Sequence, residues 1–412
     1  MTSPTTSPSA NPSVGPAAGP STGSAARPSA KPVREHLHYV DLVRVLTVGL
    51  VIGLHTLALD PLTPTIGIGG LIIVFHVSRE VFFLLTAFVL TYGTSRRKPR
   101  WPAFWRKRYL FVVVPYVTWT VLYFFADGWP YQLGNLVQEL LTGSARYHLY
   151  FLLVSMQIYL VFPLIRGLLK VTERRHGVLL AVAAVYQLTF ALFVQQGWGL
   201  GPLTGWLQFP DALLPSYLGY ILAGAVAGWH REALVSWTRA HFRRVLAGCV
   251  GTIAVGVGVY LGQVWLGGEP PLAASIVWQP VIAVESVGIA WAFLALGLRW
   301  QDRGLRGRRF VMSTSDASFG VYLIHPLILQ YALAGATSLG LLAFAASVPN
   351  ALVLIFLVGV LIPVVYLVAA TITTFIRRTP LSLALTGRAR RRPPAPTPEP
   401  ENLALATSGG MR

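Results

Sequence analysis

Ten apolar runs of about 20 residues constrain this chain more than any other feature. They lie near 40–59, 69–92, 109–126, 148–169, 177–195, 211–230, 245–265, 276–298, 316–336 and 350–375. At a rise of about 1.5 Å per residue, a helix of that length crosses the ~30 Å hydrocarbon core of a bilayer. The expected fold is therefore all-α: a polytopic membrane helical bundle of about ten transmembrane helices. The composition supports this class, with 54% hydrophobic and 12% charged residues, and excludes an ordinary soluble domain.

The formal charge of +18 would fit nucleic acid, but its distribution argues against that partner. All Lys and Arg except Arg44, Arg79 and Arg146 fall in the two tails and in alternate connections, as topology signals do. Both termini are accordingly expected in the cytoplasm, and no nucleic-acid partner is expected. Residues 1–34 are rich in Pro, Ser, Thr and Ala and read as a disordered cytoplasmic tail. Residues 35–376 form the membrane domain, and the Arg- and Pro-rich stretch 377–412 reads as a second, basic tail. The single cysteine, Cys249, offers neither a disulfide nor a cysteine metal site, and no metal is expected.

Ionisable groups inside the spans cost a few kcal/mol each and so mark functional candidates. In the first span Arg44 and His55 are eleven residues apart, about three helical turns and ~16 Å, and share a face with Asp41. Asp41 and Arg44 lie near the helix start, where snorkelling to the interface is the alternative reading. In span two, His76, Arg79 and Glu80 share a face at i, i+3 and i+4 spacing. Arg79 and Glu80 read either as a buried ion pair holding the bundle together or as part of a polar site. Depth alone brings His55, His76, Arg79, Glu80, Glu285 and His325 to similar levels, so one central chamber is expected. A histidine there suits proton abstraction from a hydroxyl, and an arginine suits phosphate or developing negative charge. No HExxH, Gly-rich phosphate loop or GxSxG elbow is present in the sequence. The densest basic segment, SRRKPRWPAFWRKRY, reads as a topology and anionic-lipid signal or as a landing site for a polyphosphorylated ligand such as coenzyme A.

These residues resemble the integral-membrane acyltransferase-3 family. The resemblance rests on Arg44 and His55, an Arg and a His separated by ten residues. It is joined by REVFFLLTAFVL in span two, KRYLFVVVPYVTW entering span three, HLYFLLVSMQIYLVFPLI in span four and SFGVYLIHPLIL in span nine. It covers 35 to about 375 and implies transfer of acyl groups, often acetyl, to hydroxyls of glycans, glycolipids or small molecules. Carried over, it implies that His55 is the catalytic histidine, with Arg44 its partner toward the acyl donor and Arg108 a basic position linked to activity. Phe111 stands where many members have a second arginine, and Thr86–Ala87 where a Ser-Gly pair is common. His325 and Tyr322 match the span-nine pattern without an assigned catalytic role.

The expected reaction runs from cytoplasmic acyl-CoA, acetyl-CoA above all, with no permanently bound cofactor. Arg44, Arg106, Lys107 and Arg108 are the expected donor-binding residues. His55, Arg44, Arg79 and Glu80 are the expected catalytic set, with Arg79 placed to stabilise an oxyanion. Membrane lipids are the expected surroundings, in a bacterial plasma membrane. The alternative is a transporter or flippase for a glycan or lipid, which also uses midplane ionisable groups. Neither an internal repeat nor a pair of broken helices is visible in the sequence to favour it.

Overall fold

The computed structural model describes residues 36–58, 65–95, 99–126, 132–198 and 210–391, and from Leu37 onward they belong to one compact unit. The first half comprises α1 (His38–Leu57), α2 (Ile66–Phe75), α3 (Ser78–Ser95), α4 (Trp101–Ala126), α5 (Leu133–Thr142), α6 (Tyr150–Val171) and α7 (His176–Gln195). It continues through α8 (Leu218–Trp229), α9 (Arg231–Ala240), α10 (Phe242–Trp265), α11 (Pro271–Ala274) and α12 (Pro280–Asp302). The chain then forms α13 (Arg308–Ser338), α14 (Leu341–Ala346), α15 (Asn350–Phe356), α16 (Ile362–Ile376) and α17 (Ser382–Thr386). α1 packs against α2, α3, α12, α13 and α16, so the helix bearing Arg44 and His55 is enclosed by others.

Among the described residues nine helices are long and apolar enough to cross a membrane, counting Ile66–Ser95 and Asn350–Ile376 each as one. The expected sixth span, 211–230, is not a full-length helix. It begins as two 3-10 turns, Pro210–Ala212 and Leu214–Tyr217, separated by an extended Leu213, and only then becomes α8. Pro210 and Pro215 supply no N–H to continue a helical ladder. The twelve residues of α8 rise only ~18 Å. Span two is also interrupted, by His76 and Val77 between α2 and α3. The expectation of no paired helix breaks is thereby corrected, and Arg79 joins the two interruptions through its bond to Asp211.

Such backbone is tolerated at membrane depth where protein covers it, and α8 is covered by α3. Gly224 and Gly228, in GAVAG, let the helices touch through their backbones: a Cβ at Gly224 would lie 2.0 Å from the Leu84 carbonyl oxygen, and one at Gly228 would lie 2.5 Å from that of Phe88. Replacing Gly224 by leucine is expected to force the pair apart. A loss of at least ~1–3 kcal/mol of stability should appear as a lower melting temperature in detergent and a smaller folded yield.

Prolines inside helices also shape the core. Each removes the donor that would have served the carbonyl four residues earlier. Pro163 in α6 frees the Tyr159 carbonyl, which accepts from Trp105 Nε1 of α4 at 2.8 Å. Pro326 in α13 frees the Tyr322 carbonyl, which accepts from His325.

The described residues continue beyond 376 to Arg391, and α17 packs on α4, α13 and α16. Trp119 Nε1 donates to the Leu385 carbonyl at 3.0 Å, Ser382 Oγ donates to the Arg388 carbonyl at 2.8 Å, and Ser382 and Thr386 are buried. Gly387 takes a φ of +59°, and a Cβ there would meet a Phe319 ring atom at 2.3 Å. The expected tail 1–34 and residues 392–412 lie outside the described residues.

Candidate functional site

One face of α1 carries Asp41, Arg44 and His55, and the structure gives the two ends of that face different surroundings. At the end nearer the basic connections, Asp41 is buried, accepts from Ser315 Oγ at 2.8 Å, and lies 4.0 Å from the half-buried Arg44 guanidinium. Arg44, Arg108 of α4 and Arg388, just past α17, all line one cavity of about 190 Å³. The guanidinium of Arg108 is 5.7 Å from the ring centres of both Phe104 and Tyr159. No acidic residue lines this cavity among the described residues, so three cations share it with Asp41 at the edge of one. That charge balance suits a polyanion.

Arg106 and Lys107 are exposed and do not line the cavity, so of the basic quartet expected at the donor site only Arg44 and Arg108 enter it. Arg388 takes a place that the sequence did not assign. Thr86 also lines the cavity.

Farther along the cavity are Phe82, Phe151 and Tyr322. Their ring centres are 5.5 Å apart for Phe82–Phe151, 6.4 Å for Phe82–Tyr322 and 5.3 Å for Phe151–Tyr322. Across this aromatic wall lies a group of histidines. The His148 ring is 5.2 Å from Tyr322 and 5.5 Å from His325, and His325 is 5.3 Å from His55. Tyr147 stacks obliquely on His55 at 4.3 Å. Tyr322 ties the two compartments together: its ring lines the cavity, its hydroxyl donates to the His148 carbonyl, and its carbonyl accepts from His325 Nδ1 at 2.7 Å.

Among the described residues the groups expected in one chamber do not all meet. His55 and His325 meet, joined by His148. Arg79 instead donates through Nε to Glu80 at 2.6 Å, through Nη1 to Asp211, and to the Tyr150 hydroxyl at 3.4 Å. Its guanidinium lies over Trp278 at 4.4 Å and Tyr217 at 5.3 Å. Glu285 stands apart, fully buried between α12 and α10, where a Cβ on Gly256 would come 2.7 Å from its Oε2. Depth, which the sequence gives, does not fix azimuth, and azimuth separated these groups.

Arg79 and Glu80 thus form a buried ion pair extended by Asp211. Arg79→Ala is expected to strand the buried Glu80 carboxylate and to cost ~3 kcal/mol, read as a lower melting temperature. The arginine cavity should be left intact, as Arg79 does not line it.

Among known proteins, a family model described as an acyltransferase domain matches residues 37–370, most of the chain. Arg44, His55, Arg108, His148 and His325 fall inside that match and Arg388 outside it. No curated protein and no solved structure gives a significant match.

Proposed function

The chain belongs to the acyltransferase-3 family, and from that membership we propose that it is a membrane O-acyltransferase. It moves an acyl group, acetyl in the first instance, from acyl-CoA to a hydroxyl of a glycan, glycolipid or small molecule. The observation that carries this reading is the convergence of Arg44, Arg108 and Arg388 on one cavity whose far wall, at Tyr322, backs onto the histidine group.

The arginines suit the phosphates of coenzyme A, which they can meet with charge-assisted and bidentate hydrogen bonds. The pantetheine arm, long and uncharged, fits the largely apolar remainder of the cavity and carries the thioester toward His55. Along α1 the Arg44-to-His55 step is ~16 Å, which separates phosphate binding from chemistry. His55 acts as general base. It takes the hydroxyl proton as the oxygen attacks the thioester carbonyl; the C–S bond then breaks, and the departing CoA thiolate recovers the proton. The positive-inside distribution supports a donor arriving from the cytoplasm, in this reading at a bacterial plasma membrane, with the acceptor reaching His55 from the opposite end.

The interruptions of α2–α3 and α8, bridged by Arg79 and Asp211, favour one second reading, a transporter or flippase, since such proteins bind cargo at broken helices. One experiment separates the two. Purified protein is given acetyl-CoA or longer acyl-CoAs with a pool of cell-envelope glycans, and free CoA is measured. Acceptor-dependent release supports the acyltransferase. Absence of both release and acyl-CoA binding, with solute movement in vesicles lacking any donor, supports the transporter.

A further inference from the structure

We infer that His325 is a positioning residue for His55: its Nε2 accepts a hydrogen bond from one ring nitrogen of His55, leaving the lone pair of the other nitrogen for the acceptor hydroxyl. This rests on the acyltransferase reading above and adds to it a group with no role assigned so far.

The chain of causes begins with Pro326. Lacking an N–H, it leaves the Tyr322 carbonyl without its helical donor, and His325 Nδ1 occupies that oxygen at 2.7 Å. A carbonyl only accepts, so Nδ1 carries the proton and Nε2 of the neutral ring carries the lone pair. His325 is fully buried, and its Nε2 has no hydrogen-bond partner among the described residues. A buried acceptor left unmet is costly, so this nitrogen is held ready for a donor.

His55 is placed to be that donor. Its ring centre is 5.3 Å from that of His325 at an interplanar angle of 25°. The centre separation is that of a bonded pair elsewhere in the same molecule: His176 and His230, hydrogen-bonded ring to ring at 2.8 Å, have centres 5.0 Å apart, although at 79°. His55 lies near-parallel to His325, so the bond requires the half-buried His55 ring to turn about its own side-chain torsions. His148, buried at 5.5 Å and 71°, is the competing donor, and the test below separates the two.

The resulting series runs from the Tyr322 carbonyl through His325 to His55 and then to the acceptor hydroxyl. It repeats the logic of a base oriented by a third group, with a neutral imidazole where a carboxylate is common. His325 gains and loses no proton; its lone pair stabilises the His55 imidazolium until the thiolate takes the proton back.

The test uses full-length protein in detergent with acetyl-CoA and envelope glycans. His325→Leu should lower kcat about a hundredfold with KM for acetyl-CoA within twofold of wild type, and His325→Gln, whose amide oxygen still accepts, should recover at least tenfold of that loss. In wild-type protein labelled with ¹⁵N-histidine, a nitrogen–nitrogen coupling between His55 and His325 reports the bond without any substitution. A kcat for His325→Leu within twofold of wild type overturns the proposal, as does a coupling from His325 to His148 in place of His55. If wild type releases no CoA at all, the acyltransferase reading fails first, while the coupling still decides whether the two rings are bonded.

Discussion

His55→Ala is expected to lower acceptor-dependent release of CoA from acetyl-CoA by at least ~10³-fold while leaving acetyl-CoA binding within twofold of wild type. General-base catalysis contributes roughly 10²–10⁴-fold. Tyr147 stacks on His55, but a neutral phenol is too weak a base for the task. His325 packs on His55 with its Nδ1 committed to a carbonyl, and His148 packs behind His325. Binding should persist because Arg44, Arg108 and Arg388 line a cavity that His55 does not. The check is a pair of measurements on the same preparation, steady-state CoA release and a calorimetric acetyl-CoA isotherm. Loss of both would mean that His55 holds the donor site together, and retention of activity would remove it from the chemistry.

The second large effect is expected at Arg388. Arg388→Ala should raise KM for acetyl-CoA between tenfold and a hundredfold, with kcat changed little. Losing a charge-assisted hydrogen bond costs about 1.5–3 kcal/mol, and each ~1.4 kcal/mol is a factor of ten. The change removes binding that ground and transition states share, which is why it should fall on KM. The backbone of Arg388 is fixed by Ser382, so removal of its side chain leaves α17 in place. Acetyl-dephospho-CoA is the control. If Arg388 meets the 3′-phosphate, wild type and variant should bind that analogue alike; if it meets the pyrophosphate, the difference should persist.

The helical class and the face of α1 were legible because period and length are properties of the sequence itself. Arg44 and His55 lie eleven residues apart in any straight helix, and α1 is unbroken from His38 to Leu57. What governed the rest was lateral packing, which apolar runs do not encode. Arg79 and Glu80 share the expected depth with His55, yet Asp211, Tyr217 and Trp278 draw Arg79 to another side. Arg388 was hidden by its neighbours, since a segment of Arg, Pro and small residues reads as solvated until Trp119 and Phe319 are known to pack on it. Two further signals stand in the sequence. Pro210 and Pro215 at the start of the sixth run marked irregular backbone, and the His325–Pro326 pair marked a freed carbonyl with a donor beside it.

The shortness of α8 and its glycine contact with α3 also bear on how the protein is made. A helix rising only ~18 Å and entered through 3-10 turns is a poor client for a translocon that releases segments one by one into lipid, because it is shorter than the hydrocarbon core. Its partner surface on α3, with Arg79 at the near end, leaves the ribosome well before it. The sixth crossing is thus expected to insert against protein already in the membrane, which makes α3 a scaffold during synthesis. A substitution at Gly224 should then expose newly made chains to quality-control proteolysis before the bundle closes.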